Sequence, residues 1–171
     1  MTILVSLSGL PGVGKTTLAK ALAAKVKAVY LRVDSIETAL KNSALRVNSA
    51  EDAGYLAVAS VALDNLLLGF DVIADSVNPV EITRNLWAET AVFGHALLLN
   101  VEVVCSDKAL HRNRVEVRAS DIQGLVVPTW QQVSDRTFEP WLEDRVLVDT
   151  SINDIDECVS KVAREMKKYT L

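Results

Sequence analysis

Hydrophobic residues occur along this chain in two alternating arrangements, short continuous apolar runs and longer stretches with helical spacing. Continuous runs are typical of strands buried on both faces of a parallel sheet. Five of them predict strands: TILVSLS, AVYLRV, DVIADSV, ALLLNVEVVC and RVLVDT. Helices are predicted over TTLAKALAAKV, SIETALKNSAL, EDAGYLAVASVALDNLLLGF, VEITRNLWAETAVFG, SDKALHRNRVEVRAS and INDIDECVSKVAREMKK. This alternation predicts an α/β fold in three layers, with a five-stranded parallel sheet between two layers of helices.

The least regular region is DIQGLVVPTWQQVSDRTFEPW, Asp121 to Trp141, between the fourth and fifth predicted strands. A long insert of poor periodicity at the carboxyl end of a parallel sheet is typical of a segment that closes over a ligand. Together with the charged helix before it, this region predicts a helical lid over about residues 107–141. Trp130 and Trp141 could line an acceptor pocket there, but packing of the lid itself is the preferred interpretation.

Length and composition limit the possible classes of protein. The 171 residues are expected to form one domain, residues 1–171, with a mainly aliphatic core because half are hydrophobic and only 5% aromatic. At a formal charge of −4, the chain is not expected to bind nucleic acid through a broad basic surface, although a local groove stays open. No apolar run approaches about 20 residues, so no membrane span is expected. The start MTILVSLSGL lacks the basic region of a signal peptide, and we therefore expect a cytoplasmic protein.

The stretch GLPGVGKTT, Gly9 to Thr17, matches the phosphate-binding P-loop pattern G-x-x-x-x-G-K-[ST]. An apolar strand precedes it and a helical pattern follows, which is the arrangement that this loop requires. Lys15 is expected to reach the β- and γ-phosphates of ATP, Thr16 to bind Mg²⁺ through its hydroxyl, and Thr17 to contact a more internal phosphate. The residues predicted to bind the nucleotide here are Gly9, Pro11, Gly12, Val13, Gly14, Lys15, Thr16 and Thr17.

Asp75 ends the apolar strand DVIAD, which has the form of a Walker B segment that holds Mg²⁺ directly or through water. The alternative is an aspartate that only ends the strand or caps the following turn. The next residue is Ser76, where a mechanical ATPase usually has a water-activating glutamate. Its absence counts against that class.

Asp34 follows the second predicted strand, at the rim where open α/β sheets bind ligands. A carboxylate at that place could take the proton from an acceptor hydroxyl as it attacks the γ-phosphate. Asp34 and Glu37 also have the spacing of a capping box, so the alternative is a role in helix capping alone.

The charged helix before the irregular region carries Arg112, Arg114 and Arg118, and the last two, four residues apart, are expected to share a face. Arginines closing from a lid can stabilise the charge that spreads over the transferring phosphoryl group. The alternative is a solvated charged face. Arg84 is a weaker candidate for the acceptor site, and no role is assigned to His95 or His111.

With these residues assembled, the chain resembles the small bacterial P-loop kinases: gluconate kinase, chloramphenicol phosphotransferase, adenylylsulfate kinase, the kinase half of polynucleotide kinase and the zeta toxins. The motifs that carry the resemblance are GLPGVGKTT, the aspartate of LRVDS, DVIADSVNP, RNRVEVR, PTW and VLVDTS. The resemblance implies a P-loop NTPase fold with strand order 2-3-1-4-5, Asp34 as the acceptor base, and Arg112, Arg114 and Arg118 as lid arginines. It also implies that the turn of Asp149, Thr150 and Ser151 lies along the adenine. Only the ATP half of the likeness is specific.

The function expected from these features is transfer of the γ-phosphate of ATP, assisted by Mg²⁺, to a hydroxyl of a small-molecule acceptor. One alternative is a nucleotide-controlled ATPase or switch, but the sequence contains no N-K-x-D for guanine, and no D-x-x-G follows the predicted metal-binding strand as it does in a GTPase. Another is a zeta-like toxin that phosphorylates a nucleotide sugar, which would imply an antitoxin partner. Neither the identity of the acceptor nor the oligomeric state can be read from the sequence.

Overall fold

The computed structural model describes residues 1–44 and 47–169. Its strands are β1 (Ile3–Ser8), β2 (Val29–Arg32), β3 (Val72–Asp75), β4 (Leu97–Val104) and β5 (Val146–Asp149). Its helices are α1 (Lys15–Val26), α2 (Val33–Lys41), α3 (Ala53–Leu67), α4 (Glu81–Phe93), α5 (Lys108–Val117), α6 (Trp130–Ser134) and α7 (Ile155–Lys168). Strands and helices alternate as the hydrophobic pattern predicts.

All strand pairs are parallel, and their order across the sheet is β2-β3-β1-β4-β5. The predicted order 2-3-1-4-5 is confirmed. Strand β1, at the centre, is buried along its whole length, which explains why TILVSLS reads as a continuous apolar run rather than an alternating one. This order brings the carboxyl ends of β1, β2 and β3 to one edge of the sheet, where ligands bind in open α/β folds.

The core forms two hydrophobic clusters, one on each face of the sheet. One cluster packs α1 and α7 against the sheet through residues such as Leu18, Leu22 and Val162. The other packs α3 and α4 against the opposite face, around the fully buried Trp87 and Val58. The three predicted layers are therefore present, and the core is mainly aliphatic.

Several predicted boundaries are wrong by a few residues. Strand β2 ends at Arg32 because Val33 already belongs to α2. Helix α2 ends at Lys41, earlier than SIETALKNSAL predicts, and Leu45 at the end of that stretch lies outside the described residues. The short helix α6 was not predicted. Across the described residues, no helix is both long enough and apolar enough to span a bilayer.

Candidate active site

The P-loop lies between β1 and α1, and its backbone is held open by glycines in the left-handed region. Gly9 and Gly12 have φ angles of 138° and 86°, which residues with a Cβ rarely adopt. The amide of Gly9 donates to the carbonyl of Val77 at 3.0 Å, which ties the loop to the segment after β3. The following residues begin α1, so the loop amides and the positive end of the helix face the same space.

Lys15 is the first residue of α1 and is buried, with 8% of its surface exposed. Its Nζ donates to the carbonyl of Leu10 at 3.0 Å, within the loop itself. Burial lowers the pKa of Lys15 from 10.5 to about 8, although the charges of Asp75 and Asp34 act in the opposite direction. A buried cation beside two carboxylates is well placed to bind the phosphates of a nucleotide.

Asp75 ends β3 and is buried next to the start of α1. Its Oδ2 accepts from the hydroxyl of Thr16 at 2.7 Å and from the hydroxyl of Tyr30 at 3.0 Å. Hydroxyl and carboxylate oxygens are the ligands that Mg²⁺ prefers in nucleotide sites, where phosphates and water complete the coordination. The pair Thr16 and Asp75 therefore fits the predicted metal site. Tyr30, which the sequence analysis did not single out, positions the carboxylate.

Asp34 lies in the first turn of α2, and its side chain lines the cleft beside the P-loop. The predicted capping box with Glu37 is wrong, because the N-cap of α2 is Arg32 and no side chain caps this helix end. Glu37, one turn further along, is half-buried against Gly54, where an added Cβ would collide with it. Burial and the nearby charge of Asp34 raise the pKa of Glu37.

The turn after β5 is attached to the P-loop through Thr150. Its hydroxyl donates to the carbonyl of Val13 at 2.7 Å and accepts from Arg114, which also donates to the Thr150 carbonyl at 3.0 Å. Asp149 accepts from the amide and hydroxyl of Ser151 at 2.9 and 2.6 Å. Although burial opposes it, hydrogen bonds from Ser106 and Ser151 lower the pKa of Asp149 to about 2. Arg114 thus fixes the turn that the resemblance assigns to the adenine.

The three lid arginines have different surroundings. Arg112 pairs with Glu116 at 2.7 Å, has a side chain that is 60% exposed, and lies outside the cleft that contains Lys15. Arg118 is the C-cap of α5, where the chain turns to an extended course, and it lines the same cleft as Arg114. Its side chain is near enough to Lys15 to lower the pKa of that lysine.

Two further residues of the lid region reach the site without having been predicted. His111 contacts the carbonyl of Pro11 through Nε2 at 2.8 Å, and its ring lies edge-on to Trp130 at 5.1 Å. Arg136 lines the cleft and, like Arg118, is close enough to Lys15 to lower its pKa. The pattern of the sequence gave no signal for either contact, because the partners are far apart along the chain.

Arg84 is not part of the cleft. Its guanidinium donates to the carbonyls of Pro140 and Glu139 at 2.9 and 2.6 Å, and it lies over the ring of Trp141 at 4.1 Å. The weak prediction of an acceptor-site role for Arg84 is therefore wrong, since Arg84 does not line the cleft and its two Nη atoms bind carbonyls at the end of the lid region. Trp141 and Trp130 both pack within the protein, as the preferred interpretation expects.

Lys15, Asp34 and Asp75 line one cleft of about 1500 Å³. The P-loop and Thr150 line one end. Asp34, Glu37 and Tyr55 also line the cleft, and the region predicted as a lid adds Arg118, Leu125–Pro128 and Arg136. Sites for a single small ligand usually measure about 300–1000 Å³, so the cleft has room for a nucleotide and a second molecule.

The model of an AAA domain family matches residues 4–140 of the chain. A search of curated protein sequences finds no match. Among solved structures, a predicted kinase from Chloroflexus aurantiacus is 19% identical, with a TM-score of 0.74 over 98% of this chain and 97% of that one. A sugar kinase from Janibacter sp. is 14% identical, with a TM-score of 0.72 over 98% and 95%. The APS kinase of Mycobacterium tuberculosis, solved with AMPPNP and APS, is 17% identical, with a TM-score of 0.66 over 97% and 98%. The fold of this chain is that of the small P-loop kinases.

Proposed function

Because the chain belongs to this AAA domain family and has the fold of the small P-loop kinases, we propose that it is an ATP-dependent phosphotransferase. The γ-phosphate of ATP would pass to a hydroxyl of a small-molecule acceptor, with the assistance of Mg²⁺. The observation that carries the proposal is the placement of Asp34. It lines the same cleft as Lys15, close enough that its charge acts on the pKa of the lysine.

The nucleotide end of the cleft is formed by the P-loop. Its amides and Lys15 would bind the β- and γ-phosphates, and the turn at Thr150 and Ser151 would lie along the base. Thr16 and Asp75 would hold Mg²⁺, which supplies charge neutralisation at the phosphates when it is bound. The hydrogen bond between Thr16 and Asp75 already sets these two oxygen groups 2.7 Å apart.

At the acceptor end, Asp34 would take the proton of the acceptor hydroxyl. The hydroxyl oxygen would form a bond to the γ-phosphorus while the bond from that phosphorus to the β,γ-bridging oxygen breaks. Arg118 would stabilise the negative charge on the transferring group. The lid region would exclude water from this space, which favours transfer to the acceptor over hydrolysis.

The similar structures support a small acceptor. One is a sugar kinase, and another was solved with AMPPNP and APS. Both cover nearly the whole of this chain with a similar fold.

The family name raises the alternative of an ATPase without an acceptor. Ser76, which follows Asp75, is buried and donates to the carbonyl of Leu7 at 3.4 Å. It offers no carboxylate to activate water at the position where mechanical ATPases have a glutamate. Asp34 could activate water instead, so hydrolysis without transfer is the outcome that would favour this alternative.

The test is mass spectrometry of a cell-metabolite extract after incubation with the protein and Mg·ATP. One metabolite should gain a phosphate with the wild type. Lys15→Ala should abolish the product, and Asp34→Asn should reduce it by about 10²–10⁴-fold while nucleotide binding is retained. Lys25→Ala is the matched control, because Lys25 lies on the same helix and its ammonium group donates to Ser160 at 3.1 Å, away from the P-loop.

Each result decides between the candidates. A phosphorylated metabolite that also forms with Asp34→Asn would refute the role of Asp34 as base. Release of ADP and phosphate, with no phosphorylated product in the extract or in an added mixture of nucleotide sugars, would favour the ATPase. Retained transfer with Lys15→Ala would refute the P-loop assignment itself.

A further inference from the structure

Arg32 is a buried cation between the predicted catalytic and metal-binding carboxylates. It is the last residue of β2 and lies opposite Asp75 in the register of β2 and β3. Only 4% of its side chain is exposed, although it lines the wall of the cleft. The sequence analysis gave it no role.

Three carboxylates from three different elements surround this guanidinium. Asp121 of the lid region accepts a hydrogen bond from Nη1 at 2.8 Å. Asp34 of α2 lies 3.6 Å from Nη2, and Asp75 of β3 lies 3.8 Å from Nε. Among the described residues, Nε and Nη2 have no hydrogen-bond partner, so the lid carboxylate alone is bound directly.

Asp121 is held from its other side as well. Its Oδ2 pairs with Lys20 of α1 at 2.5 Å. The hydrogen bonds from Lys20 and Arg32 lower the pKa of Asp121, which keeps its negative charge over the whole range in which a cytoplasmic enzyme would work. The carboxylate of Asp121, bound between Lys20 and Arg32, therefore holds the start of the irregular region at the cleft.

An arginine has a rigid fork of donors that favours direct, often bidentate, bonds to a carboxylate. Because Nη1 is bound to Asp121, Nη2 lies 3.6 Å from Asp34, which is too far for a hydrogen bond. The lone pairs of Asp34 therefore stay available for an acceptor hydroxyl. If Asp121 moved away, the unpaired nitrogens would be free to bond Asp34 or Asp75 directly. A base that accepts such a bond is weaker and is turned away from the acceptor.

We propose that Arg32 is a positioning residue that couples the lid to the reactive carboxylates. Asp121 draws the guanidinium toward the lid when the lid lies over the cleft, and this leaves Asp34 free to act. Release of Asp121 lets Arg32 bind Asp34 and stops transfer. The part of the inference that concerns Asp34 rests on the proposed function, whereas the attachment of the lid by Arg32 and Asp121 does not.

The first measurement is hydrogen exchange of residues 118–128 in the unliganded, full-length protein. Asp121→Asn should raise exchange there by about tenfold, and Arg32→Lys should have a similar effect, because the first removes the negative charge of the ion pair and the second removes the guanidinium fork. The double variant should exchange no faster than the single ones. Asp135→Asn is the matched control, since Asp135 also lies in the lid region but bonds to Gln131. Exchange in Asp121→Asn that equals the control would overturn the proposal.

The second measurement separates positioning from binding. Asp121→Asn should lower the rate of transfer by about tenfold or more while the Kd for Mg·ADP changes less than about twofold. Lys20→Met should have a smaller effect on transfer, because it loosens the lid without freeing Arg32. Faster exchange with normal transfer would overturn the coupling to Asp34. If the wild type transfers phosphate to no acceptor, the proposed function fails, and the exchange data still decide whether Arg32 holds the lid.

Discussion

The charge of Lys15 is expected to destabilise the unliganded protein. Its ammonium group is buried in the P-loop and, within the part of the chain that the structure describes, donates only to the carbonyl of Leu10, at 3.0 Å. Burial lowers its pKa from 10.5 to about 8. A pKa change of one unit corresponds to about 1.4 kcal/mol, so retaining this proton in the folded state costs about 3 kcal/mol.

The sign of the pH dependence follows from the two states. The unfolded chain keeps the proton of Lys15 up to about pH 10.5, whereas the folded chain loses it near pH 8. Between these values the unfolded state binds more protons, so the contribution of Lys15 to the free energy of unfolding rises with pH. Below pH 8 the destabilisation is present in full, and above pH 10.5 it is gone.

The variant Lys15→Met removes the charge and keeps most of the volume. Urea unfolding at pH 7 should show this variant to be more stable than the wild type by up to about 3 kcal/mol, and the difference should shrink by pH 10. Lys25→Met, on the same helix, should have the stability of the wild type at both pH 7 and pH 10. This control shows how the titration of all other groups changes the stability. Equal stability of Lys15→Met and wild type at pH 7, or a difference that stays constant to pH 10, would refute the reasoning.

Three further predictions concern the glycine loop and the arginines. Gly12→Ala should destabilise the protein more than Gly69→Ala in urea unfolding. Both substitutions cost about 1–2 kcal/mol for the positive φ, but only at Gly12 would the added Cβ meet a neighbour, Cγ2 of Val115 in α5, at 2.5 Å. Equal losses would show that α5 shifts to relieve the clash. Arg84→Met should lower the free energy of unfolding by about 2–4 kcal/mol through unpaired carbonyls, with unchanged affinity for Mg·ADP; the reverse pattern would make Arg84 a ligand-binding residue. Arg118→Met should slow transfer by about 10²-fold at unchanged nucleotide affinity, whereas Arg112→Met should change neither; similar effects of the two would contradict their different placement.

The nucleotide end of the site could be predicted from the sequence because most of its residues are contiguous in the chain. Gly9 to Thr17 form one loop and one helix turn, and the geometry of this stretch depends on its own glycines. The strand before it and the strand of Asp75 are buried on both faces, so their apolar runs are unambiguous. Helix α6 could also have been predicted, because Thr129 and Gln132 form the capping box that their spacing indicates.

The lid is less readable. The helical spacing of Arg114 and Arg118 predicts a shared face, and both line the cleft, but the spacing does not predict that α5 ends at Val117. No residue of the sequence marks that end, since the helix stops where its last turn meets the start of the irregular region. The same uncertainty affects Asp34, whose spacing to Glu37 predicts that it is the N-cap, whereas the N-cap is Arg32, two residues earlier.

The sequence by itself determined the layers of the fold, the P-loop and the carboxylates at the ends of β2 and β3, because each depends on residues close together in the chain or on the period of one element. Only the tertiary structure decided which arginines line the cleft. Arg32 meets Asp121 across 89 residues, Pro11 meets His111 across 100, and Arg84 meets Pro140 across 56. Local periodicity carries no information about such pairs, because they form only when packing of the sheet and helices has brought separate elements together.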